Sequence, residues 1–226
     1  MTAEAVIFIP GIWMPAAEML FLRRQLERKH ELAGFCFGYR SVRDTLQDNA
    51  TRLAECISAT KAETVHLVGH SLGGVLALHT LSVHDRLPVG RVVCLGSPLC
   101  GSRVALALTG QAWGRRILGN TLPSCVVERS ARDWAAAVTS AREVGVIAGT
   151  SAVGFGRLIA KLDEASDGTV TVAETRLPGI KDHVLMPVTH TAMVFSAAVA
   201  AQIARFAQRG QFDHAADIPE KPSRTL

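Results

Sequence analysis

A serine hydroxyl is a poor nucleophile until backbone geometry and a base help it. The stretch Thr64-Val65-His66-Leu67-Val68-Gly69-His70-Ser71-Leu72-Gly73-Gly74-Val75-Leu76-Ala77-Leu78 offers the geometry. Val65, Leu67 and Val68 form a short apolar run of strand formers, and from Leu72 the composition turns helical. Between them Gly69-His70-Ser71-Leu72-Gly73 has the G-x-S-x-G pattern. A sharp strand-to-helix turn of this kind holds its serine under backbone strain and lifts Oγ above the sheet edge. Side chains at 69 and 73 would collide with the neighbouring strand and helix. The helix that follows aims its N-terminal N–H groups and positive dipole end at any nearby oxyanion. The plainer alternative is a glycine-rich strand–helix turn with a bystander serine.

Gly-His-Ser-Leu-Gly-Gly at 69–74 resembles the nucleophile elbow of α/β-hydrolases, most closely that of bacterial lipases, and also that of lipase-like lipid deacylase domains. The resemblance implies a chain order of serine, acid, histidine. The histidine is the general base, and the acid fixes its tautomer and stabilises the imidazolium. Downstream of Ser71, His183, His190 and His214 are placed to follow the last strand. His190-Thr191 directly precedes the apolar Ala192-Met193-Val194-Phe195, similar to the lipase pattern in which the catalytic histidine opens the last helix, and this favours His190. His183 reads as a polar loop histidine or a supporting group, and His214 lies in a polar tail. Asp167-Gly168-Thr169-Val170 looks like the Asp-Gly-x-Val element of bacterial lipases and favours Asp167 as the acid. It precedes His190 by 23 residues, enough to cross one strand and return. Asp163, Glu164 and Asp182 are the competitors, the first two at a helix end and the third beyond the strand.

Where those lipases carry His-Gly-x after their first central strand, this chain has Pro10-Gly11-Ile12. The expected oxyanion donors are the backbone N–H groups of Ile12 and Leu72. Proline in place of histidine departs from the family but leaves the backbone donor available. Trp13 and Met14 could line an acyl pocket or simply pack, and together with Leu99 and Leu106 they are the expected lining of the substrate pocket. The resemblance spans residues about 4 to 210 in strand order, and the family's two first strands have no counterpart. Lipases of this type often bind a structural calcium, but no ligand set for it is identifiable here. Neither a metal nor a cofactor is expected.

The elements that must position these residues alternate between strand and helix. Ala5 to Ile9 is apolar throughout, as a central parallel strand buried on both faces would be. Ala16 to His30 carries a helical stripe of Met19, Leu20, Leu22 and Leu26, with charges opposite. Phe35 to Tyr39 reads as a strand, and Asp44 to Thr60 as a helix with Asp44 as N-cap. After the elbow come a helix from Leu72 to Ser82 and strands at Arg91 to Leu95 and Val144 to Gly149. Thr169 to Val172 reads as the last strand and Thr191 to Gln208 as the last helix. The expected fold is a minimal α/β-hydrolase: a mostly parallel sheet of about six strands with helices on both faces. It forms a single domain over 1–210, followed by a loose tail over 211–226. Residues 100–120, with the Val104 to Leu118 stripe, are either a small lid over the site or an ordinary covering helix. Ser97 and Ser102 lack elbow context and read as turn residues. Gly149 to Gly156 is glycine-rich but lacks the Gly-Lys-(Ser/Thr) ending of a P-loop.

Bulk composition narrows the classes. A length of 226 residues suits one sizeable core, and 48% hydrophobic against 19% charged residues excludes a disordered chain. A net charge of +4, spread along the sequence, reads as solvated helix faces rather than a nucleic-acid or anionic-lipid patch. Five scattered cysteines without a C-x-x-C pair fit neither a disulfide framework nor a zinc site. No apolar run reaches membrane-spanning length and Ala5–Ile9 is too short for a signal-peptide core, so a cytoplasmic protein is expected. The expected partner is a small-molecule or lipid-like ester, with no nucleic acid and no stable membrane insertion. Thioester or amide cleavage and acyl transfer would use the same residues, and a catalytically silent scaffold binding a lipid or protein is the reading from another class.

Overall fold

The computed structural model describes residues 4–109, 121, 130–152 and 164–214. The far part of the expected lid segment (110–120), Cys125, the end of the glycine-rich run, Asp163 and the tail from 215 lie outside them.

Six strands make one sheet in the order β2-β1-β3-β4-β5-β6, every neighbouring pair parallel. They are β1 (Glu4–Ile9), β2 (Gly34–Cys36), β3 (Thr64–His70), β4 (Val89–Leu95), β5 (Val144–Gly149) and β6 (Asp182–Met186). Alternation in β1 explains why it sits centrally. Ile7 and Ile9 enter one core with Leu67, Val75 and Leu76. Val6 and Phe8 enter the other with Leu22, Val68 and Ile203. The first core lies beneath α2 (Leu46–Ala59) and α3 (Leu72–Val83). The second lies beneath α1 (Leu20–His30) and the C-terminal helix Ala197–Arg209. A sheet covered on both sides needs central strands apolar on both faces, as β1 is.

Several boundaries differ from the sequence reading for local reasons. A 3-10 turn, Ala16–Met19, precedes α1. Thr45, not Asp44, caps α2: its hydroxyl accepts the Asp48 N–H while the Asp48 carboxylate accepts the Thr45 N–H. The last helix begins late, because a 3-10 turn at Ala192–Phe195 comes first and Ser196 caps Ala197–Arg209.

The largest correction concerns the last strand. Thr169 to Val172 is not a strand. Asp167 Oδ1 accepts the N–H groups of Thr169 and Val170 at 2.8 and 2.7 Å, and Thr171 caps a short helix, Val172–Thr175. Local side-chain bonds outcompete the ladder that β-branched residues would otherwise favour. The last strand is Asp182–Met186, so Asp182 and His183 lie within it rather than beyond it. Chain order places the start of the expected tail differently too. Phe212 is buried against Phe206, and its N–H donates to Asp182 Oδ2. Cys94 is fully buried, and burial pushes its thiol up to about 12; Cys36, Cys56 and Cys100 are also free. Among the described residues no helix is long and apolar enough to cross a membrane, and no cluster of three metal-ligating side chains occurs.

Candidate active site

The carboxyl ends of β1, β3, β4 and β5 converge on Ser71. The serine stands between β3 and α3 at φ 53°, ψ −121°, a conformation that a residue with a side chain adopts only under strain. Its N–H is tied to the Leu95 carbonyl at 2.8 Å and its carbonyl accepts the Gly74 N–H at 3.1 Å, which holds the turn. A Cβ at Gly73 would strike the Ile9 carbonyl, and one at Gly69 would strike the backbone of Gly73 and Gly74. These are the strand and helix contacts that the glycine spacing implied.

Asp167 and His190 come together. Asp167 Oδ2 lies 2.7 Å from His190 Nδ1, with side-chain exposures of 1% and 14%. The other carboxylate oxygen is taken by Thr169 and Val170, so the carboxylate cannot swing away. The backbone fixes the pair again: the His190 N–H donates to the Asp167 carbonyl at 2.9 Å. Gly96, at φ +52°, makes room for it, since a Cβ there would stand 2.8 Å from Asp167 Oδ2 and 3.2 Å from His190 Nδ1. The His190 ring lies 4.8 Å, centroid to centroid, from that of His70, the neighbour of Ser71. A carboxylate that accepts from Nδ1 leaves Nε2 of the same ring to exchange a proton with a substrate or a nucleophile.

Leu72 follows the serine, and Gly11, the residue before Ile12, lies close to it: a Cβ there would stand 3.3 Å from Ser71 Cβ. Leu72 is the first residue of α3, where N–H groups have no partner within the helix. Around Ile12 the other donors are committed: Gly11 N–H to Glu18 Oε2, Trp13 N–H to Ser41 Oγ and Met14 N–H to the Gly11 carbonyl. Tyr39 donates its hydroxyl to the Pro10 carbonyl and ties this loop to the one after β2. Trp13, at φ 68°, and Met14 are exposed and line an open hollow of about 440 Å³ with Tyr39 and Ser41. Leu106 is exposed on α4 (Arg103–Thr109). Leu99 is a correction: it is wholly buried in the α2–α3 core and lines no accessible surface.

His183 and His214 are elsewhere. His183 Nε2 bonds Thr175 Oγ1 at 2.9 Å, and burial, with the Arg176 charge second, pushes its imidazole down to about 4. His214 pairs with Asp182 at 2.8 Å. Three residues near the site were not singled out from sequence. Phe195, exposed on the turn after His190, was hidden inside an expected helix. Glu18 and His70 are buried beneath the serine, Glu18 having read as part of a charged helix face and His70 as a free position of the motif.

Residues 6–217 match the model of the alpha/beta hydrolase family. The chain belongs to that family. No curated protein matches it by sequence. Among solved structures it is similar to the mature lipase BlEst2 of Bacillus licheniformis, with a TM-score of 0.73 and 18% identity over 91% of each chain. It is also similar to the Legionella pneumophila phospholipase PlaB, with a TM-score of 0.66 and 16% identity over 92% of this chain and 59% of that one. The carboxylesterase CesB of Bacillus subtilis gives a TM-score of 0.60 at 16% identity, over 91% and 84%. At these identities the likeness is one of fold, here an all-parallel sheet in the hydrolase arrangement.

Proposed function

We propose that this chain is a serine hydrolase that cleaves carboxylic esters through an acyl-enzyme. The observation that carries the reading is a strained serine whose neighbour His70 has its ring 4.8 Å from that of His190 in a largely buried carboxylate–imidazole pair. Ser71 Oγ attacks the acyl carbon while His190 Nε2 takes its proton, and the ester C–O bond breaks as His190 returns that proton to the leaving alcohol. Water then repeats the sequence on the acyl-serine and restores the hydroxyl. Asp167 holds the His190 tautomer and balances the imidazolium charge. The Ile12 and Leu72 N–H groups receive the oxyanion, where each such donor is worth about 10²–10³ in rate.

The substrate is a small or lipid-like ester with an apolar acyl group. Trp13, Met14, Leu106 and Phe195 support this, since among the described residues they account for most of the large hydrophobic side chains left exposed and lie on segments following the strands' carboxyl ends or His190. Hydrolysis of p-nitrophenyl esters of increasing chain length tests the proposal, with Ser71→Ala and His190→Ala beside the wild type. Turnover lost in both variants is the expected result. Turnover that survives Ser71→Ala, or a wild-type serine that neither turns over ester nor takes a fluorophosphonate label, would sink it.

A further inference from the structure

A second acid–imidazole pair lies under the site, and the triad reading leaves it unused. Glu18 and His70 have side chains 1% and 4% exposed, and Glu18 Oε1 is 3.4 Å from His70 Nδ1. Burial of two such groups is unfavourable unless each finds partners. His70 through Nε2 and Glu18 through Oε2 find them in the segments that carry the reacting groups. His70 Nε2 is 3.0 Å from the His190 carbonyl oxygen. A carbonyl only accepts, so Nε2 carries the hydrogen. Glu18 Oε2 accepts the Gly11 N–H at 3.4 Å, at the head of the loop that presents Ile12. Glu18 Oε1 faces His70 Nδ1 as a close polar contact rather than a hydrogen bond, and Nδ1 has no other partner among the described residues.

Resting on the triad reading, we infer that Glu18 and His70 are a positioning pair for the hydrolytic site. They link the loop after β1, the end of β3 and the loop after β6. The pair fixes where the His190 main chain sits, and hence where its ring meets Ser71. It also fixes where the Gly11–Ile12 peptide points, and hence the oxyanion donor. Neither residue touches substrate. Its loss acts on groups used in the transition state, so kcat falls while KM stays. Glutamine at 18 keeps the geometry: its amide N–H faces His70 Nδ1, and its carbonyl still accepts from Gly11. Leucine at 18 keeps the volume and neither polar contact.

The test is steady-state kinetics on p-nitrophenyl butyrate with the full chain. Glu18→Leu and His70→Phe should each lower kcat by about 10- to 100-fold, the range that misplacement of a reacting group produces. KM should stay within about twofold. The double variant should be about as slow as the slower single, because the two residues act as one unit. Glu18→Gln should recover to within about threefold of wild type. Imidazole ¹⁵N spectra give a readout free of turnover, and should show His70 protonated at Nε2. If Glu18→Leu fails to fold, His70→Phe, Glu18→Gln and the spectra decide. A Glu18→Leu or His70→Phe kcat within twofold of wild type overturns the pair, as do multiplicative effects in the double variant or an unprotonated His70 Nε2. Those results leave the triad standing if Ser71→Ala is still inactive. Turnover surviving Ser71→Ala, or an unreactive wild-type serine, overturns both.

Discussion

Two carboxylate–imidazole pairs of nearly equal length lie at opposite ends of one half of the sheet. Asp167–His190, at 2.7 Å, is at the carboxyl edge; Asp182–His214, at 2.8 Å, is at the amino end of β6. Each aspartate also accepts backbone N–H groups, Asp167 from Thr169 and Val170, Asp182 from His183 and Phe212. The difference is in shielding and neighbours. Exposures of 1% and 14% at the first pair become 16% and 50% at the second. In water an ion pair is screened and its geometry is loosely enforced. Under the carboxyl edge it is held rigidly, its imidazole 4.8 Å from the ring of His70, the neighbour of the strained serine. The same two groups thus form the proposed base and its support at one end and fasten the chain after the last helix at the other.

The sharpest way to break this comparison is to make the same change in both pairs. Asp167→Asn should lower kcat by about 10⁴, the scale for losing the group that fixes a catalytic imidazole tautomer. Next in size is Gly96→Ala. A Cβ there strains φ +52° and pushes on both Asp167 and His190, so kcat should fall by about 10²-fold with folding retained, read by kinetics and circular dichroism. Trp13→Ala should raise KM for octanoyl over acetyl esters by about tenfold, equivalent to the roughly 1.5 kcal/mol of apolar contact it removes. His183 extends the comparison to pH. Burial pushes its imidazole down to about 4 in the folded protein, against 6.5 for a solvent-exposed imidazole, so the unfolded chain binds the proton first as pH falls. Its contribution is complete above about pH 6.5 and lost toward pH 4; Tm should drop across that window, and His183→Gln should flatten the drop. The smallest effect on activity belongs to Asp182→Asn, with kcat within about twofold. Tm should fall by a few degrees, as roughly 1 kcal/mol of charge-assisted bonding is weakened.

Legibility followed burial and local competition. β1, β3, β4 and β5 were readable because strands covered on both faces must be apolar along their whole length. β6 opens with Asp182 and His183, polar residues that an edge strand tolerates at its start, and it escaped notice. The β-branched run at Thr169 misled because propensity says nothing of an upstream aspartate capturing its N–H groups. The strained turn at Ser71 and the pairing of Asp167 with His190 were legible through short patterns with their own chemistry. Leu99 was not separable from its neighbours, since an apolar residue after a strand looks alike whether it faces a pocket or the core. Glu18 was illegible for the opposite reason. A single acid on a helical stripe belongs by default to the solvent side, and only the assembled strand ends turn it inward.

The chain order within the sheet also has a meaning in time. β1 and β3 pair in register from Glu4–Thr64 to Ile9–Gly69, so the central ladder and the serine turn come from the first third of the chain. His190 follows His70 by 120 residues. At translation speeds of about 5–20 residues per second, that interval lasts roughly 6–24 s. On the proposed mechanism, a growing chain carries its nucleophile through that interval with no base to arm it. The newborn protein would then be chemically mute until its last strand docks.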